Sequence, residues 1–381
     1  MNQKFIPLNE PYLTGDEWKR VKECFDTKWV STAGPQIDEF GRKFADYLGA
    51  KYAVPVASGT AALHLAIRVL GIGPGDKVLV PSLTFIASVN PVSYVGAQPV
   101  FVDSEKETFN IDPPLAIRKM EEMIRRGEKP KAVLPVHLFG HAADMDPLLE
   151  FCRKNEIFVI EDATESLGTR YKGSHTGTLG DIGCFSFNGN KLITTGGGGM
   201  LVTADESWAR KAKYLSEQAR DRDEEWVHQE IGYNYRLGNI QAAFGLAQLA
   251  HLEEFIAKKK QIAAWYDEGL GNVEGISLNP RAAWCDSSCW LYSILIDEEK
   301  FGKNSREILR KLNAEKIGSR PFFKPVHLQP MYGKYETTEM NHCGTIWQQG
   351  INLPSSVGLE RGDAERVIDV IRSLRPVGTA L

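Results

Sequence analysis

Lys191 stands in the run Cys184-Phe-Ser-Phe-Asn-Gly-Asn-Lys191-Leu-Ile-Thr-Thr-Gly-Gly-Gly-Gly199, where the pattern places an amphipathic strand ahead of a glycine-rich turn. A lysine delivered this way can condense with a carbonyl carbon as a Schiff base, although this segment alone favours reading it as one surface cation among 45 lysines and arginines. Three further segments carry compatible chemistry. Asp162 ends the run Phe158-Val-Ile-Glu-Asp162 and offers a carboxylate where a strand meets its loop. Ser58-Gly59-Thr60-Ala61 opens a helix-forming run; the free N–H groups of such a terminus, with the Ser58 and Thr60 hydroxyls and a glycine that permits close approach, suit a phosphate. An ordinary capped helix has the same signature. Gly232-Tyr-Asn234-Tyr-Arg236 puts polar groups ahead of a helix rich in small residues, which reads either as part of a site or as a core helix with a polar cap.

These residues need a frame that brings strand ends together. Short apolar runs (Lys77 to Ser82, Val100 to Asp103, Ala132 to His137, Phe158 to Asp162, Met200 to Thr203) alternate with helical stretches through the first two-thirds of the chain. That alternation predicts an α/β fold with a mainly parallel central sheet and helices on both faces. Ligands of such sheets collect at the carboxyl ends of the strands, where Asp162 is expected. The chain divides into a large α/β domain over residues 1–250, with residues 1–14 as an N-terminal arm, and a second unit over 251–381. The second unit begins with a linking helix around His251 to Leu270 and continues as a smaller α+β domain. Its expected elements are a half-buried strand from Cys289 to Ile296 and helices over Ser305 to Glu315 and Glu360 to Leu374.

With 381 residues, 43% of them hydrophobic, the chain can bury one large core and a smaller one. A formal net charge of −4, with no basic run interleaved with aromatics, argues against nucleic acid as a partner. No run is apolar enough to span a membrane, and Met1-Asn-Gln-Lys-Phe-Ile-Pro7 lacks a signal-peptide core, so a cytoplasmic location is expected. Of the cysteines only Cys285 and Cys289 are close in sequence; without a second pair or a histidine cluster they read as free thiols rather than zinc ligands.

Other motifs look like sites without completing one. Gly71-Ile-Gly-Pro-Gly75 follows a helix rather than a strand, so it reads as a helix stop, not a dinucleotide fingerprint. Gly196 to Gly199 lack the Lys-Ser/Thr of a phosphate loop, and read as freedom for the chain to turn closely past a ligand. His137 and His141 straddle Gly140 without a helical glutamate, which favours a strand-end loop over a metal pair.

Taken in order along the chain, the motifs resemble the DegT/DnrJ/EryC1/StrS sugar aminotransferases, a family of fold type I pyridoxal phosphate enzymes. The resemblance runs through Trp29-Val-Ser-Thr-Ala-Gly-Pro35, Ser58 to Ala62, Pro81-Ser-Leu-Thr-Phe-Ile-Ala87, His137-Leu-Phe-Gly140, Glu161-Asp-Ala-Thr-Glu-Ser-Leu-Gly168, the Lys191 segment and His327-Leu-Gln-Pro330. It implies pyridoxal 5'-phosphate as cofactor and Lys191 as the residue bearing its aldehyde. Asp162 would hold the pyridine nitrogen protonated, and Phe85 would cover one ring face. Ser58, Gly59, Thr60, Ala61 and Ser186 would surround the phosphate, and Asn234 would reach it from a neighbouring subunit, making a homodimer with shared sites. Glu165 departs from the glutamine of many relatives near the ring's phenolic oxygen, where a second anion must share a proton or find a cation. Arg236, Arg320 and His327 are candidate contacts for donor carboxylate or nucleotide phosphates.

The Lys191 segment looks most like the branch that aminates C4 of UDP-2-acetamido-2,6-dideoxy-4-keto sugars on the bacillosamine and legionaminic acid routes. The implied reaction moves an amino group from L-glutamate to that ketone, in bacterial glycan or lipopolysaccharide O-antigen synthesis. Two alternatives remain: 3-amination of a dTDP-linked 3-keto-6-deoxy sugar, and a pyridoxal phosphate-binding regulator without turnover. Relatives that act as dehydratases carry histidine in place of the lysine, so Lys191 favours transamination.

Overall fold

The computed structural model describes residues 4–221, 225 and 227–375. Residues 1–3 of the expected arm, 376–381 of the expected C-terminal unit, and 222–224 and 226 lie outside the described residues.

The chain first lays down strands β1 (Tyr52–Val56), β2 (Lys77–Pro81), β3 (Gln98–Val102), β4 (Ala132–Val133) and β5 (Phe158–Asp162). A short hairpin follows, β6 (Arg170–Tyr171) and β7 (Ser174–His175), and then β8 (Ile182–Ser186) and β9 (Gly199–Thr203). The later part contributes β10 (Ile276–Ser277), β11 (Cys285–Asp286), β12 (Tyr292–Ile296), β13 (Arg320–Pro321) and β14 (Gly350–Leu353). The central sheet has seven strands in the order β1-β9-β8-β5-β4-β2-β3. From β8 to β3 every pair is parallel, while β9 runs against both β8 and β1. The carboxyl ends of β2, β4, β5 and β8 therefore face the same rim.

Alternation along these strands feeds cores on both faces of the sheet. Val80, Ile160 and Cys184 share one cluster with Ala62, Leu65 and Ala66 of the helix Gly59–Val69. Leu79 and Val159 enter another with the helices Pro113–Arg125 and Asp146–Asn155, and Phe185 packs on the helix Pro35–Leu48. Covered on both faces, β8 is buried from Ile182 to Phe185 and is not the amphipathic strand expected; it also ends at Ser186, so a loop rather than a strand carries Lys191. The expected strand Ala132 to His137 is cut to Ala132–Val133 because Pro135 has no N–H for the ladder, though its carbonyl still accepts the Asp162 N–H at 2.9 Å.

A four-stranded antiparallel sheet, β10-β12-β14-β13, packs on the helices Leu252–Leu270, Ser305–Ala314 and Arg361–Ser373. The strand expected from Cys289 starts only at Tyr292: Cys289 takes a left-handed φ of 52°, and Trp290 turns into a core. The N-terminal arm is stitched to this sheet's periphery. Ile6 is fully buried there, its N–H donating to the Lys316 carbonyl at 2.9 Å and its carbonyl accepting the Gly318 N–H at 2.7 Å. The segment after β13 crosses back to the large sheet, where Phe101 of β3 exchanges backbone hydrogen bonds with Glu336 and Thr338. Among the described residues no helix is long and apolar enough to cross a membrane, and no three His, Cys, Asp or Glu side chains cluster as a metal site.

Candidate active site

Asp162 and Glu161 end β5 on opposite faces, as strand geometry requires. Glu161 turns away from the rim: it accepts the N–H groups of Gly177, Leu179 and Gly180, and His137 Nε2–H at 2.9 Å. His137 Nδ1 accepts the Ala143 N–H, which fixes the tautomer. His141 is likewise satisfied by Ala142 and Ala282. The two histidines thus serve as buried hydrogen-bonding groups of their loop.

Asp162 faces the rim and is 1% exposed. Its Oδ2 accepts the Ser88 hydroxyl at 2.6 Å and its Oδ1 accepts the Thr164 N–H at 3.0 Å. Ser88 in turn meets Thr84 Oγ1 at 2.9 Å, tying the carboxylate to the loop after β2 that presents Phe85. The Phe85 ring is 52% exposed and leans on Phe323, at 5.4 Å between centroids, leaving aromatic surface open at the rim.

One turn on, Glu165 Oε2 accepts the Phe139 N–H at 2.9 Å, and Oε1 lies 3.8 Å from Lys191 Nζ. Burial pushes the Glu165 carboxyl up, against Lys191, which acts to lower it. For Lys191, whose side chain is only 13% exposed, burial is the dominant influence and pulls the ammonium down; Glu165 and Asp162 act in the opposite sense. The Trp290 ring covers this amine at 4.2 Å from Nζ to centroid. The outcome is a shielded amine shifted toward its neutral, nucleophilic form.

The helix Gly59–Val69 points its N-terminus at the same rim. Ser58 is the N-cap, its hydroxyl accepting the Ala61 N–H at 3.1 Å, so these two expected phosphate contacts engage each other. The terminus is pressed closely onto the strand ends. A Cβ on Gly59 would come within 2.8 Å of Ser186 Cβ and 3.0 Å of a Thr164 methyl, and one on Gly199 within 2.4 Å of the Ser58 carbonyl. Gly199 therefore admits the helix end rather than forming a loop around an anion. An amine, a buried carboxylate, a helix terminus and an open aromatic face lie along one rim, and this donor set fits pyridoxal phosphate.

The other expected residues are placed around this centre with no direct bond to it. His327 is half-buried, its Nδ1 2.5 Å from Ser82 Oγ at the end of β2, and burial lowers its pKa. Arg320 is exposed and shares with Asn188, Gly189 and Asn190 the lining of a cavity of about 520 Å³. Arg236 lies 3.9 Å from Glu217, and its segment runs along the end of β1, with the Ala57 N–H donating to the Tyr235 carbonyl at 2.8 Å. Asn234 is exposed and makes no hydrogen bond to Lys191, Asp162 or Glu165. Sequence reasoning missed Ser88 and Trp290. The first gave only a hydroxyl beyond a strand end as signal, and the second was hidden in the run read as a strand.

A model of the DegT/DnrJ/EryC1/StrS aminotransferase family matches residues 11–372. The chain is 42% identical to a GDP-perosamine synthase of Caulobacter vibrioides over 95% of its length and 96% of the relative's. It is also 42% identical to a GDP-perosamine synthase of Escherichia coli O157:H7, over 97% and 98%. Among solved structures it resembles DesV of S. venezuelae with a TM-score of 0.90 and 32% identity, covering 99% of this chain and 100% of that one. A DegT DnrJ EryC1 StrS aminotransferase from Brucella abortus gives 0.89 and 31%, covering 95% of each.

Proposed function

Because the chain belongs to the DegT/DnrJ/EryC1/StrS aminotransferase family, a family of pyridoxal phosphate enzymes that includes sugar aminotransferases, we propose that it transfers an amino group from L-glutamate to the C4 ketone of a nucleotide-linked 4-keto-6-deoxy sugar. The observation that carries this reading is the shielded Lys191 amine on the same strand-end rim as the buried Asp162 carboxylate.

Bound pyridoxal phosphate supplies an aldehyde carbon and an electron-withdrawing ring that stabilises negative charge left on the donor's Cα. Lys191 Nζ would hold the aldehyde carbon and, as a free amine, would carry the proton away from the donor's Cα and return one on the sugar side. Asp162, fixed by Ser88, holds the ring nitrogen protonated, since an adjacent anion favours the cation. The N-terminus at Gly59 and Thr60, with Ser186, receives the phosphate, and Phe85 shields one ring face. Arg320, at the cavity beside Asn188 to Asn190, takes an anionic group of donor or sugar nucleotide. Asn234 serves the site of a partner copy, which makes the working unit a homodimer.

The nucleotide has two readings. The Lys191 segment favours a UDP-linked 2-acetamido sugar, while two relatives at 42% identity are named for a GDP-linked one. Reverse assays with 2-oxoglutarate and stable 4-amino sugars of the UDP, GDP and dTDP series, with a dTDP-linked 3-amino sugar beside them, decide between them. Formation of glutamate from a 4-amino substrate supports the reading. Consumption of a dTDP-linked 3-amino sugar alone overturns C4 as the position, and a cofactor-loaded protein inert to every series overturns the enzyme reading in favour of a regulator.

A further inference from the structure

Lys259 lies in the helix Leu252–Leu270, is 1% exposed, and has no carboxylate in contact with its Nζ among the described residues. Burying an ammonium without a counter-charge is costly, and a methionine would fill the same space without that penalty. The ammonium makes three hydrogen bonds, one per proton: to Asn9 Oδ1 at 2.9 Å, to the Trp290 carbonyl at 2.9 Å and to the Ser355 carbonyl. A neutral amine has only two N–H bonds, so the socket matches the charged form, although burial pulls its pKa down to about 7.

Two of the three partners converge on one backbone oxygen, that of the residue before Lys191. Asn9 Nδ2 donates to the Asn190 carbonyl at 2.5 Å, and Trp290 Nε1 donates to the same oxygen at 2.8 Å. Asn190 directly precedes Lys191, and the Trp290 ring is the one that covers Lys191 Nζ. We propose that Lys259 is a positioning residue for Lys191: its ammonium fixes Asn9 and Trp290, which together hold the Asn190–Lys191 peptide and keep the indole over the amine. The proposal rests on Lys191 being the cofactor-bearing lysine.

The test is a pH titration of the visible absorbance of substrate-free holoenzyme, which reads the protonation midpoint of the nitrogen joining Lys191 to the cofactor. A ring face beside that nitrogen favours its protonated form, so a displaced Trp290 lowers the midpoint. Lys259→Met lowers it by about half a pH unit or more, and the donor half-reaction slows about tenfold at saturation while its KM stays within about twofold. Asn9→Ala, which leaves Lys259 in place, shifts the midpoint the same way, and the double variant goes no further than Lys259→Met alone.

A folded, fully loaded Lys259→Met with the wild-type midpoint overturns the proposal. Should that variant not fold, an unmoved midpoint in Asn9→Ala overturns it instead. Peptide mapping of borohydride-reduced wild type separates the two levels. Pyridoxyl on another lysine refutes Lys191 as the site; pyridoxyl on Lys191 with unmoved midpoints in the variants refutes only the role of Lys259.

Discussion

Glu165 Oε1 lies 3.8 Å from Lys191 Nζ while its other oxygen accepts the Phe139 N–H, so the carboxylate is anchored from behind and confronts the amine from the front. The attraction raises the lysine's pKa and partly offsets the fall that burial imposes. Glu165→Gln removes the charge and keeps an acceptor for Phe139. The ammonium then ionises more readily, and wherever it predominates each unit of fall gives about tenfold more free amine. Cofactor-free Glu165→Gln should thus attach pyridoxal phosphate about three- to tenfold faster than wild type near pH 7 by stopped-flow absorbance. An equal or slower rate in a folded variant would sink this role.

Asp162→Asn should still bind cofactor, because the carboxylate is not part of the covalent link or the helix terminus. Its donor half-reaction should slow by about a hundredfold or more, the scale on which a lost electrostatic contact to developing charge is felt. Ser88→Ala, which removes the 2.6 Å hydrogen bond to Asp162 together with the contact to Thr84 and leaves the carboxylate in place, should fall between Asp162→Asn and wild type. Near-normal single-turnover rates in Asp162→Asn would remove this residue from the chemistry.

Glu336 gives a prediction about stability rather than catalysis. Burial alone would raise its carboxyl, but hydrogen bonds from Lys119, Arg126 and Lys77 overturn that and hold it down to about 2. A folded pKa below the ordinary carboxylate value means that the contribution is complete above about pH 4.5 and is lost as the pH falls from there toward 2. Glu336→Gln should lower unfolding free energy by roughly 1–2 kcal/mol at pH 7, after allowance for partial exposure, and the gap to wild type should close on acidification. Parallel denaturation curves at pH 7 and pH 3.5 check this; a pH-independent difference would contradict it.

Asn234 tests assembly. It is exposed at the head of the segment leading into the helix Asn239–Ala250 and makes no hydrogen bond to Lys191, Asp162 or Glu165 of its own chain. Mixing inactive Lys191→Ala with inactive Asn234→Ala chains should restore some turnover, because one site of each heterodimer then holds both native residues. Verified heterodimers without activity, or a monomer at working concentration, would assign Asn234 to its own chain.

Much of the fold was legible because parallel strands buried on both faces write themselves as apolar runs, and Asp162 ended one of them. Lys191, Glu165 and Asp162 could be named from the sequence as candidates; their distances could not, since these depend on how the loop from Phe187 to Gly198 folds back. The strand expected from Cys289 failed for a local reason: alternation continues through Trp290, but a left-handed Cys289 turns the indole inward, and no period reveals that. Lys259 was invisible because one lysine in Lys258-Lys259-Lys260 looks like its neighbours until the partners of each Nζ are known.

Borohydride reduction of the holoenzyme, followed by peptide mapping, tests most directly whether Lys191 bears the cofactor. The peptide containing Lys191 should carry the pyridoxyl group stoichiometrically, glutamate added before reduction should abolish the label, and Lys191→Ala should show none. Stoichiometric label on another lysine, the buried Lys259 included, or a label on Lys191 that glutamate leaves untouched, would contradict a glutamate-dependent aminotransferase working through Lys191.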